Sequence, residues 1–490
     1  MKRFLAICFL TLIIFPIFAQ VELPADTLPR QLDPVQLRIQ EKRPWRAASI
    51  GFGINMGIWG FNRYIMKEDF AYISWKTIRR NLKTYPVWDS DQFSTNLIGH
   101  PYHGSLYFNA ARVNGYSFYE SFPFTLAGSA MWEFAMENEP PSRNDLVSTT
   151  IGGMALGEMT FRMSDKILDN RTTGIERFGR EFLAGILAPS RLINRLLDGE
   201  AWRFQPGKGN LLPKIPIQGS FTLGGRYVTD NDDTKEPGIS GKVGVEYGDI
   251  FDYEIEKPFE WFQAKVQFDV LSDQFSLTQI NTVGALRSWE LYHKNNWQIF
   301  GGFFQHFNYF NSKIIRKDSS EFRPYYISEA AALGGGLLIE KEGRNFSLLG
   351  KYFINGIMLG ASISDHFKID DRDYNMGSGF SLKAHTELAY KKKLRFRVRM
   401  ESYHLYTWMG YDEELDFKDM SKYDKNMLNI QGDKSKARLY LFGSSLEYDL
   451  PKKWYIGIER NRYTRITSYR YLPKVRYAAW DDYLSVGYKF

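Results

Sequence analysis

The stretch LKAHTELAYKKKLRFRVRME, residues 382–401, alternates on both sides of three lysines. Leu382, Ala384, Thr386 and Leu388 alternate with Lys383, His385 and Glu387. Beyond the lysines, Leu394, Phe396, Val398 and Met400 alternate with Arg395, Arg397, Arg399 and Glu401. Successive side chains of a strand point to opposite faces, so each run is a strand with one apolar and one polar face. Residues 391–393 are then a short turn between consecutive strands.

The same period recurs from Ile215 to Phe490. In WFQAKVQFDV, Phe262, Ala264, Val266, Phe268 and Val270 alternate with Gln263, Lys265, Gln267 and Asp269. A soluble sandwich shows such alternation too, so the connections discriminate. Short links (KEGR at 341–344, PKK at 451–453, HKNN at 293–296) alternate with long polar ones at 229–238, 311–324 and 411–436. Short turns on one side and long loops on the other mark an outer-membrane barrel. The last run, DDYLSVGYKF, puts Leu484, Val486, Tyr488 and Phe490 on one face. It resembles the C-terminal signal read by the barrel-insertion machinery. Counting back predicts about twelve strands, an even number. They begin near residues 215, 240, 260, 278, 297, 326, 346, 378, 394, 437, 453 and 480. The polar face is then the lumen, with Arg395, Arg397 and Arg399 near Lys383 and Glu387. An ion-pair network filling a narrow barrel is expected there; an anion path is the alternative if the lumen is open.

The N-terminus supports export. Lys2 and Arg3 precede the apolar run FLAICFLTLIIFPIFA, residues 4–19, which reads as a secretory signal peptide over 1–19. The single cysteine, Cys8, lies inside it, so no disulfide or thiolate metal site is expected in the mature chain. The net charge of +7 falls to +5 without Lys2 and Arg3, too mild to argue for nucleic acid. An aromatic content of 16% and the lack of a later apolar run long enough to span as a helix fit an outer-membrane location. Residues 20–44, rich in proline and charge, read as a flexible segment.

Residues 45–205 have another period. SWKTIRRNL, LAGSAMWEFAMEN, LVSTTIGGMALGEMTFRMSDKIL and FGREFLAGILAPSRLINRLLD carry apolar residues at helical spacing. Ser142 is a candidate N-cap, with Asp145 three residues on as the acid of a capping box. Gly152, Gly153, Ala155 and Gly157 permit tight helix contact. Glu133, Glu137, Glu158 and Arg162 argue against lipid-facing spans. The fold class is therefore α+β: an all-α N-terminal domain, then an antiparallel transmembrane barrel over 212–490. The helical domain is expected at the periplasmic mouth or partly as a plug.

TNLIGHPYHGSLYFNAARVNGYSFYES, followed by WEFAMENEPPSRNDLVSTTIGGMALGE, resembles an uncharacterised bacterial family, a domain of unknown function in exported proteins, notably of Bacteroidetes-type bacteria. The resemblance covers roughly residues 80–170 and implies no activity. Glu133 and Glu137, with SRND and IGGMALGE, are locally similar to VanZ-like membrane proteins, which implies a helical hairpin.

The cluster His100, His103 and Ser105 decides between function classes. His100 and His103, spaced i,i+3, with Glu133 and Glu137, spaced i,i+4, have the donor types for a divalent ion. Pro101 interrupts the first pair and no HExxH occurs, so neither metal nor cofactor is expected. A hydrolase would use a histidine to deprotonate Ser105, with Glu120 or Glu133 orienting the ring, but GxSxG is absent. The plainest reading is structural: GHPYHGS as a tight loop, and Arg112 with Glu120 or Glu133, and Arg162 with Glu158, as buried pairs docking the helical domain. The expected function is a non-enzymatic outer-membrane barrel in envelope structure or small-solute passage. An envelope-lipid esterase or deacylase using His100, His103, Ser105 and Glu133 is the alternative. Expected partners are outer-membrane lipids and the insertion machinery.

Overall fold

The computed structural model describes residues 41–88, 91–205, 215–230, 235–271, 274–312, 315–317, 320–366, 373–410 and 432–490. The expected signal peptide over 1–19, most of the 20–44 segment and most of the 411–436 loop lie outside these. The chain divides into two compact units, one helical and ending at Ile215, the other running from Pro216 to Phe490.

In the second unit the strands are β1 (Ile217–Asp230), β2 (Lys235–Tyr247), β3 (Phe262–Leu271), β4 (Gln274–Lys294) and β5 (Trp297–Asn311). A small hairpin of β6 (Ile315–Lys317) and β7 (Ser320–Phe322) follows. Then come β8 (Tyr326–Lys341), β9 (Phe346–Ile363), β10 (Tyr374–Tyr390), β11 (Leu394–Thr407), β12 (Ser435–Asp449), β13 (Trp454–Tyr469) and β14 (Val475–Lys489). All but β6 and β7 form one closed antiparallel barrel of twelve strands, sealed by β1 against β14 with Phe221 opposite Tyr488. Closure leaves no strand edge.

The alternation reads out as predicted. Phe396 and Met400, Leu382 and Leu388, Ile456 and Ile458, and Leu484 and Val486 are exposed on the outside. Lys383, Glu401, Asn461 and Asp481 are buried on the other face. Short turns take left-handed backbone: Asn295 and Asn296 have φ of 53° and 59°, Lys391 and Lys392 of 50° and 56°. These are the positive-φ hairpin turns whose twist matches the strands.

Two connections differ from expectation. Of the stretch 229–238, the described residues 229, 230 and 235–238 are strand, with Val228 opposite Glu236 and Tyr227 opposite Pro237. Strand β2 reaches past the first residue that pairs with β3, Gly238, so Pro237 sits where its missing N–H costs no bond to β3. Residues 248–261, for which the sequence predicted nothing, are a folded segment at the short-turn end. Their Ile250, Ile255 and Trp261 are buried against Phe300, Phe304, Leu338 and Phe353.

In the helical unit the helices are Pro44–Phe61, Trp75–Asn81, His100–Arg112, Phe122–Met131, Arg143–Val147, Gly153–Ile167, Gly174–Leu187 and Pro189–Leu197. Among the described residues none is long and apolar enough to cross a membrane. His100–Arg112 is central, with Tyr107, Phe108, Ala110 and Ala111 at most 1% exposed. It crosses Gly153–Ile167 where two glycines meet. A Cβ on Gly104 would lie 1.7 Å from the Thr149 carbonyl oxygen, and one on Gly153 2.6 Å from the Gly104 carbonyl carbon. Only hydrogens fit there, which is the use of the small residues seen in IGGMALGE.

GHPYHGS is therefore not a tight loop; it is the start of a helix. Pro101 has no N–H and ordinarily crowds the carbonyl four residues back. A π-helical turn over Thr95–Gly99 widens the helix just before it. Gly104 is there for close packing, not for a turn.

Candidate functional site

The helical unit brings together an imidazole and two carboxylates from three elements. His100 follows the π-helical turn Thr95–Gly99, Glu133 lies in a second such turn, Trp132–Met136, and Asp145 lies in Arg143–Val147, which runs into a third, Ser148–Gly152. One donor atom from each of His100, Glu133 and Asp145 lies within 4.8 Å of the others. Glu133 is 1% and Asp145 2% exposed. His100 Nε2 is 3.5 Å from Asp145 Oδ1 and 3.7 Å from Oδ2 of the more exposed Asp91.

A modified cap holds the carboxylates. Ser142 is the N-cap, its hydroxyl accepting the Asp145 N–H, as the sequence predicted. In a capping box the acid three residues on would accept the cap residue's own N–H. Instead Glu133 Oε2 accepts the Ser142 N–H at 2.8 Å. Asp145 Oδ1 accepts from Asn144 Nδ2 at 2.8 Å and faces His100. A parallel bridge between Val87 and Ser142 lays residues 85–88, just before Asp91, along this cap.

The serine and the second histidine are engaged elsewhere. Ser105 Oγ donates to the Tyr102 carbonyl at 2.6 Å, a bond within its own helix. His103 Nε2 is 2.6 Å from the Tyr107 hydroxyl, which also bonds Asn55 Oδ1. The His103 ring meets Trp132 edge-on at 4.8 Å. Desolvation, and secondarily the charge of His100, lowers its pKa to about 3, so the ring is neutral at physiological pH. Burial likewise raises the Tyr107 hydroxyl well above its usual value. The geometry thus gives Ser105 a carbonyl and His103 a phenol, not each other.

Of the two expected ion pairs, Arg162 with Glu158 is present and that of Arg112 differs. Arg112 pairs with Glu158, not with Glu120 or Glu133, through Nε at 2.6 Å and a second nitrogen at 2.9 Å. Arg162 Nε meets the same carboxylate at 2.8 Å. All three are buried where the two central helices face each other, one turn apart on Gly153–Ile167 for Glu158 and Arg162. Glu120 instead accepts from Lys42 Nζ at 2.6 Å. Glu137 ends its helical turn in extended backbone and offers its carbonyl to Asn81.

In the barrel, Arg395 pairs with Asp449, Arg397 with Glu387 and Glu447, and Arg399 with Glu401 at 2.7 Å. Arg397 and Arg399 line an internal cavity of about 500 Å³ with Lys242, Lys265, Glu387 and Glu459. Toward the long-loop end the interior fills. Arg226 on β1 bonds Asp269 on β3 and Asp481 on β14, both at 2.7 Å, and the Tyr325 hydroxyl at 3.0 Å. Tyr325 stacks on Tyr463 at 3.9 Å. Gln279 on β4 donates to Tyr463 on β13 at 2.7 Å, and those strands are five places apart around the twelve. Toward the short-turn end Lys351 on β9 reaches Glu246 on β2 at 3.2 Å, again across five places.

Residues 85–190 match the family model described as "Domain of unknown function (DUF3943)". The match covers the His100 cluster and the Arg112–Glu158–Arg162 group and ends before β1. No curated protein matches the chain. Among solved structures, the NanC porin is 9% identical with a TM-score of 0.26, the alignment covering 55% of this chain and all of that one. The outer membrane channel DcaP of Acinetobacter baumannii is 8% identical with a TM-score of 0.22, covering 56% and 97%. The translocator domain of the autotransporter NalP from Neisseria meningitidis is 10% identical with a TM-score of 0.21, covering 62% and 95%.

Sequence reasoning missed Asp91 and the part played by Asp145. Asp145 was legible as a cap acid, and nothing in SRND says that a glutamate from another helix takes over its capping bond. The acidic run WDSD at 88–91 was the available signal for Asp91.

Proposed function

We propose that the chain is an outer-membrane protein whose barrel is a non-conducting anchor for the helical unit, which faces the periplasm. An apolar exterior with a charged interior is stable only in an apolar solvent, and a closed barrel satisfies its backbone bonds there. Twelve strands bring Ile217 and Phe490 to the same end, the end of the short turns, which in outer-membrane barrels is periplasmic. That supports a periplasmic position for the preceding helical unit. The leader-like segment 1–19 supports the same route.

The observation that carries the anchor reading is that side chains from strands nearly opposite one another meet inside the barrel. Gln279–Tyr463 and Lys351–Glu246 cross the lumen at two levels. Arg226, Lys242, Lys351, Arg395, Arg397 and Arg399 each pair with an acid, so the interior resembles a packed polar core more than a path for one sign of charge. This role belongs to envelope structure, the first of the two expected from sequence. The full chain inserted in planar bilayers should show no steady ohmic conductance. A stable open level in the unmodified protein would overturn the reading in favour of solute passage.

A further inference from the structure

We propose that His100, Glu133 and Asp145 form a binding site for a divalent transition-metal ion of the Zn²⁺ or Mn²⁺ class, with Asp91 as a fourth donor on the solvent side. The donors come from three separate elements and converge to within 4.8 Å of one another. Ligand atoms sit ~2.0–2.2 Å from such an ion, so two of them lie up to ~4.4 Å apart across it. Around a tetrahedral ion donors stand ~3.4 Å apart; His100 Nε2 and Asp145 Oδ1 already do, at 3.5 Å, and a wider pair would close by about an ångström through side-chain movement. The separations of His100 Nε2 from Asp145, 3.5 Å, and from Asp91, 3.7 Å, fit a shared ion. They are longer than the ~2.7–2.9 Å of a direct charged hydrogen bond.

The chemistry of the donors selects the ion. One imidazole with carboxylates suits Zn²⁺ or Mn²⁺, whereas Ca²⁺ and Mg²⁺ favour oxygen alone. A divalent ion also neutralises two carboxylates that are almost fully buried. Both are oriented by outer groups as metal carboxylates usually are: Glu133 by the Ser142 N–H and Asp145 by Asn144 Nδ2. An independent feature marks the same spot. Three π-helical turns, Thr95–Gly99, Trp132–Met136 and Ser148–Gly152, lie beside or contain the donors. Such turns are rare and concentrate at functional sites. The proposal reverses the expectation from sequence, which drew on His103 and Glu137. In the structure His103 is turned to Tyr107, and Asp145 takes the place those residues were given. The competing account is a His100 imidazolium paired with the carboxylates and no ion.

The test uses the untagged full chain in detergent, stripped with EDTA and then titrated with Zn²⁺ or Mn²⁺. Bound metal is read by elemental analysis and, for Mn²⁺, by electron paramagnetic resonance. One equivalent per chain is expected. Glu133→Gln and Asp145→Asn should each weaken binding by more than the ~10–100-fold typical of losing an outer-shell partner, while His103→Gln leaves it unchanged. Should the ligand variants fold poorly, the unmodified chain still decides: Zn²⁺ must raise the unfolding midpoint of the helical unit, because a ligand of the folded state alone stabilises it. Substoichiometric binding, equal binding by the ligand variants, or no thermal shift would each leave the imidazolium account standing and overturn the metal. Bilayer conductance does not enter this measurement, so the site and the anchor reading fail separately.

Discussion

Glu158 neutralises two guanidiniums at once, those of Arg112 and Arg162, and the three are 0%, 4% and 2% exposed. Removing the acid takes from two buried guanidiniums the carboxylate that they share. Glu158→Gln should therefore destabilise the helical unit by ~3–5 kcal/mol, read as a lower urea midpoint or faster proteolysis of residues 41–205. The heat-modifiable gel mobility of the barrel should not change; if both move together, the two units are not separately stable. His103 makes a pH prediction. Its folded pKa, lowered to about 3 by desolvation first and His100 second, lies below the unfolded value near 6.5. The unfolded chain thus takes up a proton that the folded one refuses. The contribution is complete above pH 6.5 and is lost progressively as pH falls toward 3, by at most ~1.4 kcal/mol per pH unit. His103 is half-buried as a residue, which makes the observed slope smaller. His103→Gln should flatten the fall between pH 7 and 4; an unchanged slope would assign it to other groups.

At the scale of elements, the hairpins show how much local chemistry this fold tolerates. Lys391 and Lys392 hold left-handed backbone, which costs an L-residue ~1–2 kcal/mol. Asn-Gly is the pair best suited to such a turn. Lys391→Asn together with Lys392→Gly should raise barrel stability by ~1 kcal/mol, the relieved left-handed strain less the entropic cost of a glycine, measured as slower unfolding in urea. A loss of stability instead would show that the lysine side chains contribute more than the turn strain costs. The twelve predicted strand starts and the observed ones follow each other closely, from β1 to β14, because period two is a local property. The connections were less legible. The turn-end segment 248–261 has neither period, and its Ile250, Ile255 and Trp261 find their partners on strands far along the chain.

For the whole molecule, a barrel of this size is a shell whose interior must be filled or wet. This one is crossed by Gln279–Tyr463 and Lys351–Glu246, with the Arg226–Asp269–Asp481 group between β1, β3 and β14. The conductance expected to be absent from the unmodified chain belongs at this scale, since it depends on many strands together. Arg226→Ala tests it further. Two buried aspartates that share one guanidinium would repel each other without it. The variant should either show intermittent conductance or lose its heat-modifiable form.

The class of fold was legible in the residues alone: strand period, strand number, the sidedness of the short turns, the helical period before Ile215 and the small residues of IGGMALGE. Each is set by spacing along the chain, because side-chain direction repeats every two or 3.6 residues whatever surrounds it. Which polar residues meet was settled by packing in three dimensions. Arg112 chose Glu158 over Glu120 and Glu133, Glu133 took the capping bond that Asp145 was expected to make, and His100 met Asp145 while His103 turned to Tyr107. These choices depend on where three helices cross. The crossing is set by the contact of Gly104 with Gly153, some fifty residues apart, and although the small residues are legible, no local pattern pairs these two.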